Sequence, residues 1–143
     1  MKRNKPFALD KQEALHAPGG QGLVAEIVKA CSDAKGRRIC VLDVKELVGV
    51  CDHFIIVSGR SDRQVQGICS KILRNLEARH VKPEAVEGLD KAHWVLLDFG
   101  DVVVHVFYEP VREHYDLEGL WSKAKRFDVL EEDGDERSAS NVM

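Results

Sequence analysis

The sequence has no apolar run approaching the ~18 residues that a membrane-spanning helix needs. Basic Lys2, Arg3 and Lys5 open the chain, but no apolar segment follows them, so no secretory signal is expected. Positive charge is not in surplus either. With 21 Lys and Arg against 24 Asp and Glu, the net charge is −3. This balance excludes a general pull on nucleic-acid phosphates. On RNA-rich machinery the chain would dock on protein, and a basic protein suits its charge best. Aromatic residues are only 6% of the chain, and none interleave with lysines or arginines as RNA-binding surfaces require. The cysteines Cys31, Cys40, Cys51 and Cys69 form no C-x-x-C pair and have no histidine at zinc-ligand spacing. They are expected as buried, reduced thiols, which points to the cytoplasm. His16, His53, His80, His93, His105 and His114 are scattered, and no nucleophile motif accompanies them. No Walker or dinucleotide glycine spacing is present.

What is present is an ordinary soluble balance, 44% apolar and 31% charged over 143 residues, enough for one core. Residues 1–22 are polar and carry Pro6, Pro18, Gly19, Gly20 and Gly22, so they are expected as a flexible tail. Residues 128–143, acidic and then small and polar, are expected as another. A single domain is left at 23–127.

Leu23, Ile27, Ala30 and Cys31 recur at helical spacing, and Gly36 stops that helix. The β-branched run 38–44 predicts a strand, 45–52 a looser stretch, and 53–58 a second strand. Ser61 and Gln64 form a capping box for a helix reaching about His80, in which Gln64 reaches back to residue 61. Val65, Ile68, Cys69, Ile72 and Leu76 are its apolar stripe. Residues 84–87 fit a short edge strand. Runs 94–99 and 102–108 make a hairpin around Gly100-Asp101, a type II′ turn. Residues 116–127 read as a final helix. The order α-β-β-α-β-β-β-α gives an α+β fold, mixed α/β layers with a mixed sheet of about five strands and helices packed on it.

The hairpin register sorts its side chains. Val95, Leu97, Phe99, Val102, Val104 and Val106 share a uniformly apolar face, which is core. Trp94, Leu96, Asp98, Val103, His105 and Phe107 share the other. Ordinary core under a helix is the plain reading of that second face, but Asp98 and His105 would then need buried partners. A Trp–Leu patch edged by Asp98 and Asp101 resembles a protein-binding hot spot. Tyr115 and Asp116, near the start of the last helix, lie within reach of the same partner. The turn Ser58-Gly59-Arg60-Ser61 could bind phosphate, and Asp98 with Asp101 could hold Mg²⁺ beside it. A tight strand-to-helix turn and a hairpin-rim charge explain those residues more simply. No metal or cofactor is expected.

Several segments, in order, resemble the Iojap-like ribosome-silencing family. They are Leu42-Asp43-Val44 with Asp52-His53-Phe54, then Ser58-Gly59-Arg60-Ser61-Asp62-Arg63-Gln64-Val65, then Val86-Glu87-Gly88 followed by the hairpin from Trp94 to Phe107, and last Tyr115-Asp116-Leu117-Glu118-Gly119-Leu120-Trp121. Gly49 departs from the pattern, standing where the family more often has Asp, as does Val48, where it often has Thr. The resemblance implies a binding protein rather than an enzyme. It implies docking on the large ribosomal subunit through large-subunit protein fourteen, a block on joining of the small subunit, and repression of translation. It also implies a nucleotidyltransferase-like core without the catalytic set, and frequent homodimers. A nucleotide-binding enzyme of that fold is the alternative.

Overall fold

The computed structural model describes residues 21–130. The bulk of both expected tails, 1–20 and 131–143, lies outside the described residues. Helix α1 (Gln21–Asp33) leads to strand β1 (Arg37–Asp43), a single helical turn α2 (Lys45–Val48), strand β2 (His53–Gly59) and helix α3 (Asp62–Glu77). Strands β3 (Ala85–Glu87), β4 (Trp94–Asp98) and β5 (Val102–Tyr108) follow. Short helices α4 (Glu109–Tyr115) and α5 (Leu117–Leu120) and strand β6 (Lys125–Asp128) complete the described chain.

The strands form one six-stranded sheet in the order β3-β4-β5-β2-β1-β6. It is mixed, as expected: β2 and β5 run parallel, and the other pairs are antiparallel. The parallel pair needs a long crossover, and α3 lies within it. Helices α1 and α3 cover one face. Val24, Ile27 and Cys31 from α1 and the α3 stripe Val65, Ile68, Cys69, Ile72 and Leu76 meet Val41, Ile55, Val57, Val95, Leu97, Val104 and Val106 of the sheet. The cysteines are all free and buried. No helix among the described residues is long and apolar enough to cross a membrane.

Local chemistry explains most boundaries. Ser61 caps α3 by accepting from the Gln64 N–H at 3.0 Å. Gln64 accepts in return from the Arg60 N–H at 2.6 Å, one residue earlier than a standard capping box. The hairpin takes the predicted register, but at its turn the Asp101 N–H donates to Phe99 O at 3.2 Å, closing a tighter turn than the expected type II′. Trp94 lies opposite Phe107 and Asp98 opposite Val103, Gly100 takes φ +90°, and Asp98 Oδ1 accepts from the Gly100 N–H at 2.8 Å.

The expected helix over 116–127 does not form as one piece. Pro110 stands in the first turn of α4 rather than merely ending the sheet, since its missing N–H costs nothing there. Asp116 then takes the left-handed conformation at φ +49°, ends α4 and caps α5 through the Gly119 N–H. Beyond α5 the chain turns into β6, which gives β1 its second neighbour and packs Phe127 against the main core.

Candidate functional site

The period-two alternation of β4 and β5 sends Trp94, Leu96, Asp98, Val103, His105 and Phe107 to the sheet face away from α1 and α3. The parallel register adds Phe54, Ile56 and Ser58 from β2, and β1 adds Cys40 and Leu42. This face carries a second apolar cluster, with Cys40, Leu42, Val44, Cys51, Ile56, Phe107 and Leu117 buried in it. Helix α4 lies over the Ser58 and Phe107 end of the face, while α5 and Trp121 lie against Leu42 and Phe54 of β1 and β2. Trp94, Leu96, Asp98, Val103, Phe54 and Trp121 are half-buried.

The expected binding residues occupy different depths. Phe107 is fully buried, and His105 is nearly so. Trp94 lies over both: its ring centroid is 4.9 Å from Phe107, and its indole N–H donates to His105 Nδ1 at 3.1 Å. Tyr115, exposed at the end of α4, packs on the outer side of Trp94 at 4.8 Å. Asp98 ties down the hairpin turn, while Asp101 is exposed at its tip. Asp116 is exposed and caps α5. Phe54 and Trp121 extend the aromatic surface beyond His105, with edge contacts at 4.9 Å and 5.8 Å. Phe54 could not be joined to Trp94 from sequence, because their relation depends on the parallel β2–β5 register.

His105 is the polar centre of this surface. Burial drives its pKa down to about 4, so it is neutral near pH 7. Because Nδ1 accepts from Trp94, the ring proton is on Nε2, which is buried without a hydrogen-bond partner among the described residues.

A second buried polar group went unnoticed in the sequence. Arg112 of α4 is 1% exposed. It donates to Glu118 of α5 at 2.7–2.8 Å and to Ser58 Oγ at 2.9 Å, and it approaches Cys40 Sγ at 3.7 Å. Burial works to raise the Glu118 pKa, but the hydrogen bond and charge of Arg112 prevail and hold it below the usual carboxylate range. This cluster fastens α4 and α5 to the sheet and thereby sets where Tyr115 stands.

The elements of a nucleotide site do not converge. The turn 58–61 follows the end of β2 that pairs with Tyr108, whereas Asp101 touches the opposite end at His53. A strand of this length separates them by roughly 20 Å. Ser58 is already engaged by Arg112, and the Arg60 and Gln64 N–H groups by the cap.

A family model described as "Ribosomal silencing factor during starvation" matches residues 17–142. The Ribosomal silencing factor RsfS of Bacillus subtilis is 42% identical over 70% of this chain and 85% of its own. Protein Iojap, chloroplastic, of Arabidopsis thaliana is 38% identical over 76% of this chain and 45% of its own. The mouse protein named for mitochondrial assembly of the ribosomal large subunit is 32% identical over 67% and 43%. A crystal structure from Chromobacterium violaceum superposes with a TM-score of 0.69 at 33% identity, covering 80% of this chain and 88% of that one.

Proposed function

Because the chain belongs to the ribosomal silencing factor family, we propose that it docks on the large ribosomal subunit through large-subunit protein fourteen and blocks joining of the small subunit by occupying space. The observation that carries this reading is the half-covered aromatic face. Trp94 is held in place by Phe107, His105 and Tyr115 yet remains partly accessible, with Leu96 beside it and the carboxylates of Asp98, Asp101 and Asp116 at the edge. An aromatic anchor on a rigid base inside a polar rim is how protein interfaces concentrate their energy. The acidic rim fits a basic partner protein and repels phosphate. No chemistry is needed: a typical interface occupies about 800 Å² per partner, enough for a bound domain to exclude another subunit. The protein acts in the cytoplasm, where its four free thiols stay reduced.

The test is co-sedimentation of the full chain with purified large subunits, followed by addition of small subunits. Binding to the large subunit and loss of joined ribosomes are the expected result. Failure to co-sediment at low and moderate salt would overturn the proposal.

A further inference from the structure

The loop joining β1 to β2 takes no part in the docking face described so far. Residues 44–52 are pinned at both ends. The Val44 N–H donates to Asp52 O at 3.0 Å, and the Asp52 and His53 N–H groups donate to Asp101 O at 2.8 and 3.1 Å. Val44 and Cys51 are buried in the second apolar cluster, and Val48 packs against it. The loop is therefore anchored, with its inward side fully used. Even so, it holds Leu47 at 45% exposure and Val50 at 80%. Val50 makes almost no packing contact at that exposure, and Leu47, with just over half its surface covered, leaves the rest of its side chain to solvent.

The surroundings are acidic. Asp52, Asp98 and Asp101 act on Cys51, and Asp43, Asp52 and Asp101 on His53, with Lys45 opposing them. Glu46 is exposed on the same helical turn. His53 adds little positive charge, since burial depresses its pKa against the pull of those carboxylates.

We propose that residues 45–52 form a second contact of the same docking surface, in which Leu47 and Val50 enter apolar sockets on a basic protein while the surrounding carboxylates meet its cations. The inference rests on the proposed function and extends it to a loop outside the aromatic face. Charge selects the occupant. Nucleic acid and anionic lipid would be repelled by the acids around the two apolar side chains. A second copy of this chain meeting the loop about a two-fold axis would oppose the same acids to themselves.

The experiment measures binding of full-length variants to purified large subunits, with a denaturation midpoint and a sedimentation-velocity mass on each. Leu47→Ser with Val50→Ser is expected to weaken binding about tenfold or more and lower the midpoint only slightly, since Leu47 is part covered and Val50 almost bare. Val50→Lys, which places a cation among the acids, is expected to fold at least as well and to bind still more weakly. Glu46→Gln with Asp101→Asn is expected to flatten the salt dependence. Wild-type binding together with undiminished binding by both apolar variants would overturn the loop contact and leave the aromatic face standing. Absence of wild-type binding would instead overturn the proposed function itself. Loss of self-association with subunit binding intact would overturn the loop contact in favour of a homodimer.

Discussion

Trp94 donates its indole N–H to Nδ1 of His105 at 3.1 Å, from the neighbouring strand of the hairpin. The bond fixes the tautomer of a buried imidazole and the orientation of a half-buried indole together. It requires neutral His105, which burial among Phe54, Trp94 and Phe107 enforces.

Stability should therefore fall in mild acid. His105 has a folded pKa of about 4, against an ordinary 6.5. The unfolded chain takes up the proton first as pH drops, so this contribution is complete above about 6.5. It declines between 6.5 and 4 and levels off below, a loss of about 3 kcal/mol. Asparagine keeps an acceptor for Trp94 without titrating. Urea midpoints from pH 7.5 to 4.5 should fall more steeply for wild type than for His105→Asn, and parallel slopes would refute the assignment.

Arg112 should be the costliest polar residue to truncate. Arg112→Ala leaves the half-buried Glu118 carboxylate and Ser58 without their cation, an expected loss of about 3–5 kcal/mol. Removing both charges in Arg112→Met with Glu118→Leu should recover much of it, because the penalty lies in the orphaned charge. Denaturation midpoints of the single and double variants decide this. Additive losses would mean that the pair does not act as a unit.

Gly88 adopts φ +84°, and a Cβ there would lie 2.3 Å from the carbonyl oxygen of Trp94. Gly88→Ala combines backbone strain with a collision and should cost more than ~1 kcal/mol. It should also disturb Trp94, visible in near-ultraviolet circular dichroism. An unchanged spectrum and midpoint would show that the turn adapts freely.

The same positions show what the sequence could reveal. The hairpin was legible because its alternation and its two-residue turn are local, and together they sort Trp94 from Val95. The first helices were legible through apolar spacing and a cap. Gly88 was legible only as part of a pattern, and its reason, the closeness of Trp94 O, is tertiary. Strand β6 was missed because Lys125–Asp128 has almost no apolar signal and forms by completing the edge of β1. Arg112 was invisible because Ser58 and Cys40 lie 54 and 72 residues away. How far the mixed face is covered depended on α4, which folds over Ser58 and Phe107, and on α5 with Trp121, which lie against Leu42 and Phe54.

The decisive prediction concerns Trp94, which contributes both to the fold and to the proposed docking face. Its inner side contacts Phe107 and His105, while its outer side meets only the exposed ring of Tyr115 among the aromatic residues described. Truncation should therefore cost less stability than the ~3–5 kcal/mol of a fully buried aromatic. As the anchor of the face it should cost ~2 kcal/mol or more in binding to large subunits. Tyr115→Ala removes the outer neighbour alone and should weaken binding with little change in midpoint. Asp101→Lys should slow association without unfolding, since rim charges steer encounter more than they hold the complex. Midpoint, association rate and equilibrium binding measured on the same variants separate these effects. If Trp94→Ala unfolds the domain, the face is core. If it folds and binds subunits like wild type, the docking surface lies elsewhere on the molecule.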